Sequence, residues 1–173
     1  MRFMESRCKG QQGAGMIEVL VAVLVVAIGV IGYAGMQLTA LRSSDDAARR
    51  TLATLIASDA LERMLINPNA TLTYLDTDNW PAGAQAPGSA FPTACLGTQC
   101  DPAALAQADI DQLSWAAAQL LPVGRVAASN DCTGVPSASC VVVSWDGVAP
   151  AECLAGGAVD AEPSCLVLEG IRI

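Results

Sequence analysis

Between Val19 and Leu41 the chain runs through 23 residues without a charged side chain, and no other stretch limits its possible folds so strongly. As a helix rising ~1.5 Å per residue, the run measures ~35 Å, enough to cross a bilayer core of ~30 Å with some tilt. Glu18 stands at its mouth. A carboxylate at mid-membrane costs roughly 2.5 to 3.5 kcal/mol. Glu18 therefore needs either the headgroup level, where water serves it, or a positive partner. Gly29, Gly32 and Gly35 recur at every third position of the run. Each costs about 1 kcal/mol against Ala in a helix, yet lets another helix approach closely or the helix unwind locally.

The residues before the run set its orientation. Residues 1–13, MRFMESRCKGQQG, place Arg2, Arg7 and Lys9 against the single acid Glu5. Positive charge beside a first span holds that end in the cytoplasm. A cleaved secretory signal has an apolar core of only ~7 to 15 residues, with small residues after it. Here the small residues Gly13, Ala14 and Gly15 come before the run.

Charge and composition remove several functions. The chain carries a net charge of -8, and Lys9 is its only lysine, so the clustered cations that bind phosphate backbones are missing and nucleic acid is excluded as a partner. It contains no histidine, the commonest general base and metal ligand. No nucleophile-base pair or phosphate loop occurs either. No catalytic residue, metal or cofactor is assigned, and the chain is not expected to be an enzyme. Of the seven cysteines, Cys8 precedes the apolar run while Cys95, Cys100, Cys132, Cys140, Cys153 and Cys165 follow it. An even set on one side of a span reads as disulfides in an oxidising compartment. Cys95 and Cys100 suggest a local staple. Cys132 with Cys140 and Cys153 with Cys165 are nearest-neighbour pairings, although spacing alone leaves the connectivity open. A zinc site is the rival reading, weakened by the lack of histidine and of any CxxC.

Beyond the run the chain emerges into water at Arg42, Ser43, Ser44, Asp45 and Asp46. Helical spacing persists through Ala48, Leu52, Leu55, Ile56, Ala60 and Met64, which predicts one packing face. Asn67-Pro68 is a stop signal, so a helix is expected over about 14–66, with a break near Ser43-Ser44 as the alternative. Residues 67–108, rich in Pro, Gly, Ala, Asn and Thr, read as a long connection. Within it, Asp76-Thr77-Asp78-Asn79 lacks the glycine and the closing glutamate of a calcium loop and reads as a solvated turn. In residues 101–128, Leu105, Ile110, Leu113, Trp115, Leu120 and Leu121 predict a short amphipathic helix ended by Pro122 and Gly124, with Trp115 as its core anchor. Residues 125–129, 140–145 and 165–173 read as strands, in the last two through the short runs VVVSW and LVLEGIRI, which are rich in β-branched residues.

The string GAGMIEVLVAVLVVAIGVIG behind a short basic leader ending in Gly resembles the N-terminus of type IV pilins and of the pseudopilins of type II secretion. The resemblance implies that a prepilin peptidase cuts between Gly13 and Ala14 and that Ala14 is then N-methylated. Glu18 falls fifth in the mature chain, where the family carries its glutamate; a cut after Gly15 would place it third. Ala14 departs from the Phe or Met usual at the first mature position. The fold implied is α+β: a long N-terminal helix, half membrane segment and half amphipathic, packed on a small antiparallel sheet head with disulfides. The chain would divide into a leader (1–13), a membrane and assembly half (14–41), an amphipathic half (42–66) and a periplasmic head (67–173).

Prepilin peptidase, the inner membrane and other minor and major pilins are the implied partners, and the pilus is the final location. Glu18 would set the axial register of assembly by meeting the free amine of Ala14 on a neighbouring subunit. The Asp, Leu and Trp of residues 101–128, followed by Leu-Leu-Pro-x-Gly, are more loosely similar to minor pilins of the type IV pilus modification protein PilV kind. A type II secretion pseudopilin and a signal-anchored periplasmic binding module or adhesin remain as alternatives.

Overall fold

The computed structural model describes residues 15–130, 132, 139–155 and 164–170. The leader, the junction at Gly13 and Ala14, and the end of the last expected strand lie outside them. The chain divides into two compact units, Met1–Asp45 and Asp46–Ile173.

Helix α1, Met16–Ile66, is continuous through Ser43 and Ser44, so the break considered there does not occur. No glycine pair or proline interrupts its hydrogen-bond ladder before Asn67, whose N–H closes the last turn on the Arg63 carbonyl at 3.2 Å. In the first unit every described residue of α1 is exposed. The helix is long and apolar enough there to cross a membrane.

The second unit begins at Asp46. Its share of α1 buries Ala53, Ile56, Ala57, Ala60 and Met64. This corrects the expected face: Ala48 and Leu55 are exposed, and Ala53 and Ala57 take the packing positions. The physical reason is closeness, because alanines let helix backbones approach where leucines would hold them apart.

Residues 67–108 are more ordered than a bare connection. A 3-10 turn at Pro68–Ala70, the short helix α2 at Thr71–Leu75 and a second 3-10 turn at Thr77–Asn79 follow α1 directly. Asp76 caps the second turn by accepting from the Asp78 N–H, which gives the Asp76-Thr77-Asp78-Asn79 stretch a structural use. Helix α3, Pro102–Leu120, starts on the Asp101 side chain, which accepts from the Ala104 N–H, and Pro102 supplies a fixed φ at its first position.

Strands β1 (Arg125–Ser129), β2 (Ser139–Ser144) and β3 (Cys165–Gly170) form an antiparallel sheet in the order β1-β2-β3. Register sets Ala127 opposite Val142 and Val142 opposite Val167. Alternation therefore sends Val126, Ala128, Val141 and Val143 to one face, where they join α1, α2 and α3 in the main core with Tyr74, Trp80, Ile110, Leu113 and Trp145. The other face carries a smaller cluster of Cys132, Cys140, Val142, Cys153, Cys165 and Val167, with Val148 and Leu154 against it. Helix α4, Pro150–Ala155, covers this side.

Helix α3 also differs from expectation on its faces. Leu105 and Leu120 are exposed, while Ala106, Asp109, Ser114 and Ala117 are buried beside Ile110 and Leu113. Trp115 is only half-buried. It anchors the preceding connection instead of the core: its Nε1 donates to the Ser89 carbonyl at 2.8 Å and its ring meets Phe91 edge-on with centroids 5.0 Å apart.

Candidate functional site

Two groups of residues bear on function, one in each unit. In the first unit, Glu18 lies in the opening turn of α1, its N–H bonded to the Gly15 carbonyl at 2.8 Å. Its side chain is exposed and meets no charged partner among the described residues. An acid in a first helical turn is favoured by the helix dipole, worth about 0.3 to 1 kcal/mol. That is less than the cost of taking a carboxylate into lipid, so the helix alone does not settle Glu18. Large apolar side chains surround the helix on all sides, among them Leu20, Leu24, Ile28, Ile31 and Met36, all exposed. A side-chain carbon added at Gly29, Gly32 or Gly35 would meet nothing within 4 Å. This surface is built for lipid or for other helices.

The second unit holds a polar clamp that sequence reading missed. Arg63 of α1 donates through Nη1 to Asp109 Oδ1 at 2.8 Å and to Gln112 Oε1 at 3.0 Å, and through Nε to Asp59 Oδ1 at 3.1 Å. Tyr74 of α2 donates through its hydroxyl to Asp109 Oδ2 at 2.5 Å. Asn67 donates to the Pro102 carbonyl at 2.8 Å, and Trp80 Nε1 donates to the Tyr74 carbonyl at 2.7 Å. The Asp109 carboxylate is thus filled from two elements and ties α1, α2 and α3 together. Its signal was present in the sequence as an acid beside Ile110 and one turn before Leu113, on a face otherwise apolar. A buried acid demands a partner, but the partner lies 46 residues upstream and spacing could not name it.

Burial pulls the Arg63 guanidinium down, yet hydrogen bonds to Asp59 and Asp109 outweigh it and hold the group above its ordinary value. Burial, reinforced by the bond to Asp109, raises the Tyr74 phenol well above its ordinary 10.0. The folded phenol therefore stays protonated where an unfolded tyrosine has begun to ionise. Its stabilising contribution is complete below about pH 10 and is lost as pH rises from there towards the folded value. A denaturation midpoint measured from roughly pH 9 to pH 11 should fall in the wild type and fall less in Tyr74→Phe.

A second ion pair fixes the far end of the sheet. Arg49 Nη1 donates to both carboxylate oxygens of Asp146, at 3.1 and 2.9 Å. Asp146 sits at φ 55° just after β2, and its N–H reaches the Pro122 carbonyl at 2.7 Å.

The six cysteines after the apolar run pair as Cys95–Cys100, Cys132–Cys140 and Cys153–Cys165. The last two pairs are buried behind the sheet, whereas Cys100 is exposed. Six thiols held in this way leave none of that set to bind zinc. No group of three or more metal-ligating side chains occurs among the described residues.

A family model described as Tt1218-like, type IV pilin Tt1218, matches residues 35–111. The matched stretch takes in the end of the apolar run, the whole packing face of α1, α2, and α3 as far as the Asp109 clamp. No curated protein and no solved structure matches the chain.

Proposed function

We propose that this chain is a type IV pilin, more narrowly a minor pilin, which is stored in the inner membrane by the first unit's helix and then built into a filament. The observation that carries this reading is the pairing of an uncharged, fully exposed apolar helix, headed by Glu18, with an amphipathic continuation inside the stretch similar to type IV pilins. In this reading prepilin peptidase cuts between Gly13 and Ala14 on the cytoplasmic face, and Ala14 becomes the N-methylated first residue. The disulfide-bearing head is then periplasmic and later on the cell surface. The product is a structural subunit, and its chemistry is packing.

Glu18 acquires its task at assembly. A carboxylate carried into a bundle of apolar helices is strongly disfavoured without a positive group beside it. The amine of Ala14 on an adjacent subunit supplies one, and only a single axial offset brings the two together. Register is thereby set by the cost of every wrong register. Glu18→Ala is expected to be cleaved normally but to enter sheared pili at least about tenfold less than wild type, corresponding to roughly 1.4 kcal/mol or more. Quantitative immunoblotting of cells against pili reads both steps. Incorporation equal to wild type would remove the register role.

The narrower PilV-like branch rests on the residues 101–128 block. Twitching motility, adhesion and a place at or near the pilus tip are proposals that follow from that branch.

A further inference from the structure

Helix α1 carries four arginines, and three of them are held by acids of the chain itself. Arg49 pairs with Asp146, Arg50 with Asp46 at 3.2 Å, and Arg63 with Asp59 and Asp109. Arg42 is the fourth. It is exposed, and its side chain makes no hydrogen bond or ion pair among the described residues. The order of charges explains the difference: an acid four residues before a base is the better pair, and Asp46 stands so towards Arg50, whereas Arg42 precedes its nearest acids. Ser43 and Ser44 are exposed too, and their hydroxyls bond nothing among the described residues. Thr39, inside the apolar run, instead closes its hydroxyl on the Gly35 carbonyl at 3.2 Å.

We infer that Arg42 is a lipid-phosphate site, whose guanidinium takes the phosphate of a phospholipid in the leaflet at the C-terminal end of the span. Glu18 and Arg42 lie 24 residues apart with no charge between them. At ~1.5 Å per residue this is roughly 36 Å, more than a hydrocarbon core of ~30 Å and less than the roughly 40 to 45 Å that includes the headgroups. With Glu18 in one headgroup layer, Arg42 therefore lies in the other. Helical side chains lean towards the N-terminus, so the Arg42 guanidinium reaches back from the water side to the phosphates. Its planar fork matches two phosphate oxygens at once. Leu38 and Leu41, 50% and 68% exposed, adjoin it in sequence, which makes a lipid the source of that phosphate. Ser43 and Ser44 turn about 100° and 200° round the helix from Arg42, so their hydroxyls meet neighbouring headgroups. The contact fixes the depth of the span and must be vacated whenever the helix leaves lipid. This inference rests on the part of the proposed function that places α1 across a membrane, and not on the filament.

The test uses the full chain with isotope-labelled arginine in vesicles of phosphatidylethanolamine and phosphatidylglycerol, in phosphate-free buffer. Solid-state NMR should show a guanidinium signal dephased by lipid phosphorus that is lost in Arg42→Gln, a difference that separates Arg42 from Arg2 and Arg7 of the leader. Arg42→Lys, labelled at lysine, should regain a phosphorus contact beyond that of Lys9. Non-ionic detergent micelles with inorganic phosphate form the second arm, and dephasing of Arg42 there as strong as in vesicles would overturn the lipid assignment. Alkaline carbonate washing reports the span separately. A chain retained in the vesicles with no dephased Arg42 signal would overturn this inference alone. A chain washed out would overturn the spanning reading and this inference with it.

Discussion

Asp109→Ala is expected to destabilise the folded head by about 3 kcal/mol, at the lower end of what breaking a buried ion pair costs. The Asp109 side chain is 13% exposed and its carboxylate serves two donors, so its loss leaves a guanidinium and a phenol without this acceptor in one step. Arg63 keeps Asp59 and some access to water, which holds the penalty below the full burial limit. Asp109→Asn keeps an acceptor for Tyr74 while removing the charge, and should cost about half as much. Denaturant titration followed by Trp80 and Trp145, both buried in the main core, reads the difference directly. A double-mutant cycle with Arg63→Met isolates the pair itself. If Asp109→Ala unfolded within about 0.5 kcal/mol of wild type, the change expected of a plain surface substitution, the clamp would carry no stability.

The second large effect is expected at Gly124. A side-chain carbon there would lie 2.1 Å from the Ala117 carbonyl oxygen and 2.8 Å from the Leu121 Cβ. Both obstacles belong to the end of α3, and that carbonyl already accepts from the Leu121 N–H at 3.0 Å. Neither can swing aside as a flexible side chain would. Gly124→Ala should therefore cost about 3 kcal/mol by forcing α3 and β1 apart. Gly147 is the control: it has φ 91° but open space around it. Gly147→Ala should lose only about 1 kcal/mol, from backbone strain. Equal losses at the two positions would mean that the close approach at Gly124 is not what makes it glycine.

These two residues mark where sequence reasoning ran out. The extent of α1 was legible because nothing between Met16 and Ile66 opposes a helix, and Asn67-Pro68 ends one. The strands were legible because VVV is β-branched, LVL is apolar around a β-branched valine, and both lie between turn residues. The phase of the packing face was not, because Ala53 and Ala57 carry the contact and alanine gives a weak hydrophobic signal beside Leu55. The 3-10 turns after α1 were hidden by their Pro, Asn and Asp residues, which read as loop; the second of them is capped by the Asp76 side chain. Trp115 misled because a tryptophan in an amphipathic pattern suggests a core, whereas its indole N–H is spent on the Ser89 carbonyl. Gly124 gave only a stop signal, and its close contact with Ala117 exists solely in three dimensions.

The candidate assembly residues divide in the same way. Glu18 is conspicuous in sequence because it is one acid before a long uncharged run. Its exposed position in the first turn of α1 leaves it open to a partner from another chain. Gly13 and Ala14 lie outside the described residues, so their role rests on the resemblance of the leader and of the string that follows. Arg63, Tyr74 and Asp109 were invisible as a set, although all three fall within the stretch similar to type IV pilins.

The most direct test of the account is the mass of the mature N-terminus, read from protein isolated from its native host. An N-terminal peptide beginning at Ala14 and carrying one added methyl group on its amine is the predicted result. A chain that still begins at Met1, or one cut at any other bond, would contradict the proposal that this helix enters the pilin pathway.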